Sequence, residues 1–214
     1  MKERSTSGFL FPAIGIFVGL PLLLWALGDF PRRTVLKEAL SLLFILAYFL
    51  MLVQFYLARG GRLLLTMPKM STILKYHKAI GYIFASILLA HPFLIVIPRY
   101  YEAGTTPMEA FITIITTFES SGVVIGIIAW FLMLALGITS LTRNRLPMKY
   151  RTWKTVHCIM SVLFIASGTW HAVDLGRHTN LPMSICMILL ALGGVVLLLK
   201  TYFHDSSIRE GHTS

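Results

Sequence analysis

The chain has 214 residues, of which 56% are hydrophobic and 13% charged, with a mean hydropathy of +0.75 and a formal net charge of +10. A soluble domain of that length could not hide so much apolar surface, so a water-exposed globular protein is excluded and lipid is the expected solvent. The positive charges flank apolar runs and form no separate basic domain, which excludes a nucleic-acid module and assigns them to topology and lipid headgroups.

In chain order, six apolar runs read as spans, at 9–27, 36–57, 76–98, 120–140, 155–174 and 183–202. Each is near the roughly 20 residues that cross about 30 Å of hydrocarbon as a helix. The first run lacks a small-residue cleavage site and opens a series of similar runs, so it reads as a retained span and not a signal peptide. Between spans two and three lie Arg59, Arg62, Lys69, Lys75 and Lys78, with no acidic residue. Between spans four and five lie Arg143, Arg145, Lys149, Arg151 and Lys154, again with none. The 98–119 loop differs, setting Arg99 against Glu102, Glu109 and Glu119. Basic loops stay in the cytoplasm, so both termini and both basic loops are expected inside a plasma membrane, the inner membrane of a bacterium. One segment runs against the trend: residues 29–38 carry Arg32, Arg33 and Lys37, yet six spans put them outside. The expected fold is all-α and polytopic, a six-helix bundle over residues 1–204 with a short cytoplasmic tail at 205–214.

Cys158 is expected near the inner end of span five and Cys186 near the outer end of span six. A disulfide between opposite leaflets is geometrically excluded, and neither residue has the CxxC neighbour of a metal or redox site. The ten methionines are scattered as packing residues usually are.

The histidines carry the chemistry. Span three holds His77 and His91, and span five holds His157 and His171, both pairs at a spacing of fourteen. Fourteen helical steps rise roughly 21 Å and fall about 40° short of four full turns, so each helix presents two imidazoles on nearly one face. Spans three and five start on the same side and run parallel. Packed side by side, they bring His77 opposite His157 on the inner side and His91 opposite His171 on the outer side. Two facing imidazoles are the ligand set of a six-coordinate haem iron. Zinc wants three or four ligands at one level, and each level offers two, with no Asp, Glu or Cys beside them. The competing reading is four core histidines bonded to backbone or hydroxyls, in a haem-free membrane anchor or transporter. Ionisable side chains inside spans are usually functional, and the repeated spacing favours ligation.

KYHKAIG, LLAHPF, the run SSGVVIGIIAWFLMLALGITS and the following MKYRTWKTVH resemble the ferric reductase-like transmembrane domain, over about residues 59–175. That superfamily includes eukaryotic metalloreductases, NADPH oxidases and bacterial relatives. The resemblance implies six helices with two stacked b-type haems between the third and fifth. The inner haem would fall to His77 and His157 and the outer to His91 and His171. It also implies that electrons enter at the cytoplasmic haem and leave to an outer acceptor.

Phe84 and Phe164 stand midway between the histidines of their helices, placed to fill the gap between haems; ordinary packing accounts for either ring as well. Lys78 and Arg151 inside, with Arg99 and Arg177 outside, are candidates for the haem propionates, though a basic cytoplasmic loop is expected anyway. His178, in the outer loop DLGRHTN, reads as a solvated loop histidine, and His204 and His212 have no assigned role.

Relatives that draw on NADPH carry a flavin and nicotinamide module after span six. Here about a dozen residues follow the last span, with no glycine-rich dinucleotide turn and no P-loop. The expected donor is therefore a separate flavoprotein or iron–sulfur subunit on the inner face, or a membrane quinol. In this respect the chain resembles stand-alone haem membrane subunits of bacteria. The expected acceptor is an outer-side protein or ferric chelate, with a terminal reductase of ferric chelates or oxygen at the outer haem edge as the alternative.

Overall fold

A computed structural model of the chain describes residues 7–31, 33–60 and 70–210. Arg32, the segment 61–69 with Arg62 and Lys69, and the terminus with His212 lie outside the described residues, as do the side chains of Arg59 and His204. Among the described residues there is no strand.

The helices are α1 (Ser7–Ile14), α2 (Leu20–Ala26), α3 (Val35–Gly60), α4 (Met70–Leu94), α5 (Val96–Ala103), α6 (Pro107–Ile115), α7 (Ser121–Leu141), α8 (Tyr150–Leu175) and α9 (Leu181–Glu210). Among the described residues five segments are long and apolar enough to cross a membrane: Val35–Leu57, Ser71–Ala103, Ser121–Leu141, Tyr150–Leu175 and Leu181–Lys200. The first apolar segment, Phe11–Ala26, is shorter. A π-helical turn over Gly15–Gly19 joins α1 to α2, and Pro12 and Pro21 fall within the same stretch. Two prolines and two glycines make this the least regular of the six apolar segments. The protein is thus an all-α polytopic membrane protein. α9 runs through residues 205–210, which the sequence reading gave to a tail.

The 98–119 segment, expected as a loop, folds into the end of α5 and all of α6. Gly104 closes α5 in the left-handed region at φ 64°, where a glycine has no Cβ to clash. α6 then opens on a capping box: Glu109 N–H donates to Thr106 Oγ1 at 3.3 Å and Thr106 N–H to Glu109 Oε2 at 3.2 Å.

α3 is the central helix. It packs on α4 and α9 and supplies the buried Tyr48, Phe49, Leu52 and Phe55, which meet Ile165 of α8 and Met183 and Met187 of α9 in one apolar core. Tyr48 OH, 2.6 Å from Thr169 Oγ1, ties α3 to α8 inside that core, and Tyr56 OH donates to Leu190 O at 2.8 Å, tying α3 to α9. Large apolar side chains such as Phe131, Leu141, Leu189 and Val196 face outward, as lipid-facing positions do.

On one side of the bundle three connections are clasped together. Lys37 pairs with Glu102 of α5, and Thr34 Oγ1 donates to the same carboxylate at 2.6 Å. Arg177 donates to Pro31 O at 3.2 Å, and His178 Nε2 lies 3.0 Å from Glu38 Oε2. Residues 29–38 therefore share a side with α5 and the α8–α9 turn, opposite the 143–154 loop. Within the clasp Lys37 meets Glu102, while Glu38 of the same segment faces His178.

His178 corrects the sequence reading. It is only 4% exposed, packed edge-on against Phe30 at 4.6 Å and close to Trp25 at 6.2 Å. A loop position gave no sign of the two aromatic rings that cover it. Burial holds its imidazole below the usual pKa, with Glu38 pulling the other way.

Candidate functional site

The four span histidines lie on α4 and α8, as the spacing predicts, and all four are part-buried. The two helices do not pack closely on each other as expected. Each instead packs on α7, and α4 also on α3. At the outer level the His91 and His171 rings face each other across this arrangement, their centres 5.9 Å apart at 70°. A metal–imidazole nitrogen bond of about 2 Å on each side of an iron sets two ring centres on the order of 6 Å apart. At the inner level His77 and His157 hold the corresponding places, fourteen residues along α4 and α8 from the outer pair.

The atoms around each ring decide which nitrogen is available. His171 Nδ1 lies 2.8 Å from Gly122 O, so its N–H donates to that carbonyl and Nε2 carries the lone pair. His157 Nδ1 faces Ser140 Oγ at 3.5 Å. Gln54 reaches His77: with its amide nitrogen toward α4 it donates to Nδ1 at 2.5 Å and to His77 O at 3.1 Å, and its oxygen accepts from Gly81 N–H at 2.9 Å. Metal-ligating histidines donate their second ring N–H, as His171 does; at His77 the Gln54 amide is the donor and Nδ1 keeps the lone pair. His91 is set differently, by an edge-on contact with Phe44 at 5.0 Å. Trp130 Nε1 donates to Leu89 O at 2.9 Å and pins α7 to α4 two residues before it.

Gly126 completes the outer site. A Cβ there would stand 2.3 Å from His171 Nδ1, and one at Gly122 would stand 2.3 Å from Asp174 Oδ2. These two glycines, four apart on α7, let α8 approach closely enough for the imidazole to lie on bare backbone. At the inner level the Trp153 ring stacks on His157, centres 5.1 Å apart at 29°, and Trp153 Nε1 donates to Thr139 O at 3.1 Å.

The remaining sequence candidates scatter. Phe164 is buried in the core at 5% exposure, and Phe84 is half-buried. Lys78, Arg99, Arg151 and Arg177 are exposed, with Arg177 occupied by Pro31 O. Cys158 and Cys186 are not joined. No group of three or more His, Cys, Asp or Glu side chains suited to a bare metal ion occurs among the described residues, so a group that brings its own equatorial ligands fits these histidine pairs best.

Sequence reasoning missed Gln54, Gly122, Gly126 and Trp153. Gln54 was visible as the lone amide within an apolar span, where polar side chains usually have a task. The glycine pair was visible as a small-residue spacing.

No solved structure matches the chain. It is 44% identical over 161 residues, 75% of this chain and 87% of the relative, to an uncharacterised protein of Archaeoglobus fulgidus. Residues 43–168 match the ferric reductase like transmembrane component family, a stretch that begins in α3 and runs through α7 into α8. The chain is therefore a member of the ferric reductase-like transmembrane family.

Proposed function

We propose that the chain carries electrons across the membrane through two b-type haems, the inner held by His77 and His157 and the outer by His91 and His171. The observation that carries this reading is the repeated pair of histidines on two parallel helices, with the His91 and His171 rings together and the His171 Nδ1–H donated to Gly122 O. Haem bound there supplies a reversible one-electron carrier at each level. The chain's own residues do the rest. Gly122 O holds the His171 imidazole in one tautomer and orientation, Gly126 seats its ring, and Ser140 Oγ meets His157 Nδ1. Tyr48, Phe164 and Ile165 keep the interior between the levels dry, which sharpens every electrostatic effect on the potentials. Both termini lie in the cytoplasm and the 143–154 loop faces the donor, a flavoprotein, an iron–sulfur protein or a quinol. The acceptor, a protein or a ferric chelate, is met beside α5 and the α8–α9 turn.

Liposomes test this. With the purified chain in the bilayer and dithionite trapped inside, ferric citrate outside is reduced only if the chain is loaded with haem. Reduction equal to that of haem-free controls, with b-type bands present, would reject a conduit to ferric chelates. Absence of those bands would reject the haem reading as a whole.

A further inference from the structure

The inner ligand His157 is joined to the protein surface by stacked rings. Tyr150, 62% exposed, stacks on Trp153 with centres 5.8 Å apart at 28°, and Trp153 stacks in turn on His157. The Arg143 guanidinium covers both, 5.3 Å from the Tyr150 ring centre and 5.4 Å from that of Trp153. The bond from Trp153 Nε1 to Thr139 O fixes the indole in this plane. Around the exposed end stand Arg143, Arg145, Lys149, Arg151 and Lys154, with no acidic residue between positions 142 and 156.

We propose that this stack is the electron entry port, and that its basic rim docks an acidic one-electron carrier, an iron–sulfur protein or a flavin semiquinone carrier. The proposal rests on the haem reading above. Charge complementarity argues for the partner, since a one-sign rim steers an oppositely charged protein and fixes its register. The π-stack argues for the position: a carrier seated over Tyr150 and Arg143 has continuous ring contact to the imidazole that would hold the inner iron. A basic loop serving topology alone has no need of an indole locked against a ligand. The step is a single-electron transfer. The carrier would lose one electron to a haem held by His157, with no bond broken and no proton moved. Trp153 acts through His157 and is a positioning and coupling residue.

The test uses the haem-loaded full chain in lipid nanodiscs and stopped-flow absorbance. The probes are a reduced plant-type ferredoxin, which is acidic, and reduced methyl viologen, which is cationic and too small to need a docking surface. Trp153→Leu is expected to slow reduction by ferredoxin several-fold and Trp153→Phe to restore most of the rate, with haem content unchanged. Reversing Arg145 and Lys149 to Glu is expected to slow the ferredoxin reaction about tenfold or more at low salt and to abolish its salt dependence, while sparing methyl viologen. An unchanged rate in Trp153→Leu would overturn the entry port. So would an equal loss with both reductants and altered haem bands, which mark a purely structural tryptophan. Charge reversals without effect on ferredoxin would assign the rim to lipid headgroups and overturn the docking surface. A chain with no haem to reduce would instead reject the parent reading, and the entry port with it.

Discussion

His171 shows how much of the behaviour of a proposed ligand lies outside its own side chain. Its ring lies against Gly126 and hands its Nδ1 proton to Gly122 O. Gly126→Ala inserts a methyl where the imidazole sits, an overpacking that costs about 1–3 kcal/mol. Its expected signature is selective loss of one of the two haem components on reduction, the other being spared. Gln54 makes the corresponding case on the inner side. Gln54→Leu removes the neighbour of His77 Nδ1, so the midpoint potential of one centre shifts while the second stays fixed, as a potentiometric titration would show. Movement of both centres, or of neither, would break the assignment of Gln54 to His77. The placing of the four histidines on two helices was legible because their fourteen-residue spacing recurs on two spans. Gln54 and the glycines left only a lone amide and a small-residue spacing, which acquire a role through what a neighbouring helix brings against them.

At the scale of elements, long apolar runs announced the helices and placed most of their ends within a few residues. A run of twenty apolar residues has few other ways to satisfy its backbone in lipid. The short helices α5 and α6 escaped because eight or nine residues are too few to register as a span, and only the Thr106–Glu109 box marks a start. The outer clasp escaped for a different reason: it joins residues far apart in sequence. It makes two predictions. The exposed Lys37–Glu102 pair is worth under about 1 kcal/mol, so Lys37→Ala barely moves the melting temperature in detergent. His178 is pH-sensitive, because burial lowers its pKa in the fold relative to the unfolded chain. Its contribution is complete above the unfolded value of about 6.5 and is lost as pH falls through the lower folded value. Thermal melts are expected to weaken on acidification, and His178→Gln to flatten that dependence; a parallel dependence in both proteins would contradict it.

For the molecule as a whole, the bundle holds α4 and α8 in parallel, each packed on α7. The clasp puts residues 33–38 on the same side as α5 and the α8–α9 turn. Single cysteines at positions 33 and 105, in a Cys158→Ser, Cys186→Ser background, are expected to react with a membrane-impermeant thiol reagent from the same side, and a cysteine at 145 from the other. The central claim is two bis-histidine haems per chain. It is tested most directly by haem-to-protein stoichiometry together with low-temperature EPR of the oxidised protein. The account predicts two haems per chain, both low-spin, with His91→Leu or His171→Leu leaving one. A single haem in the unaltered chain, a high-spin signal from either centre, or full haem content after both substitutions would contradict it.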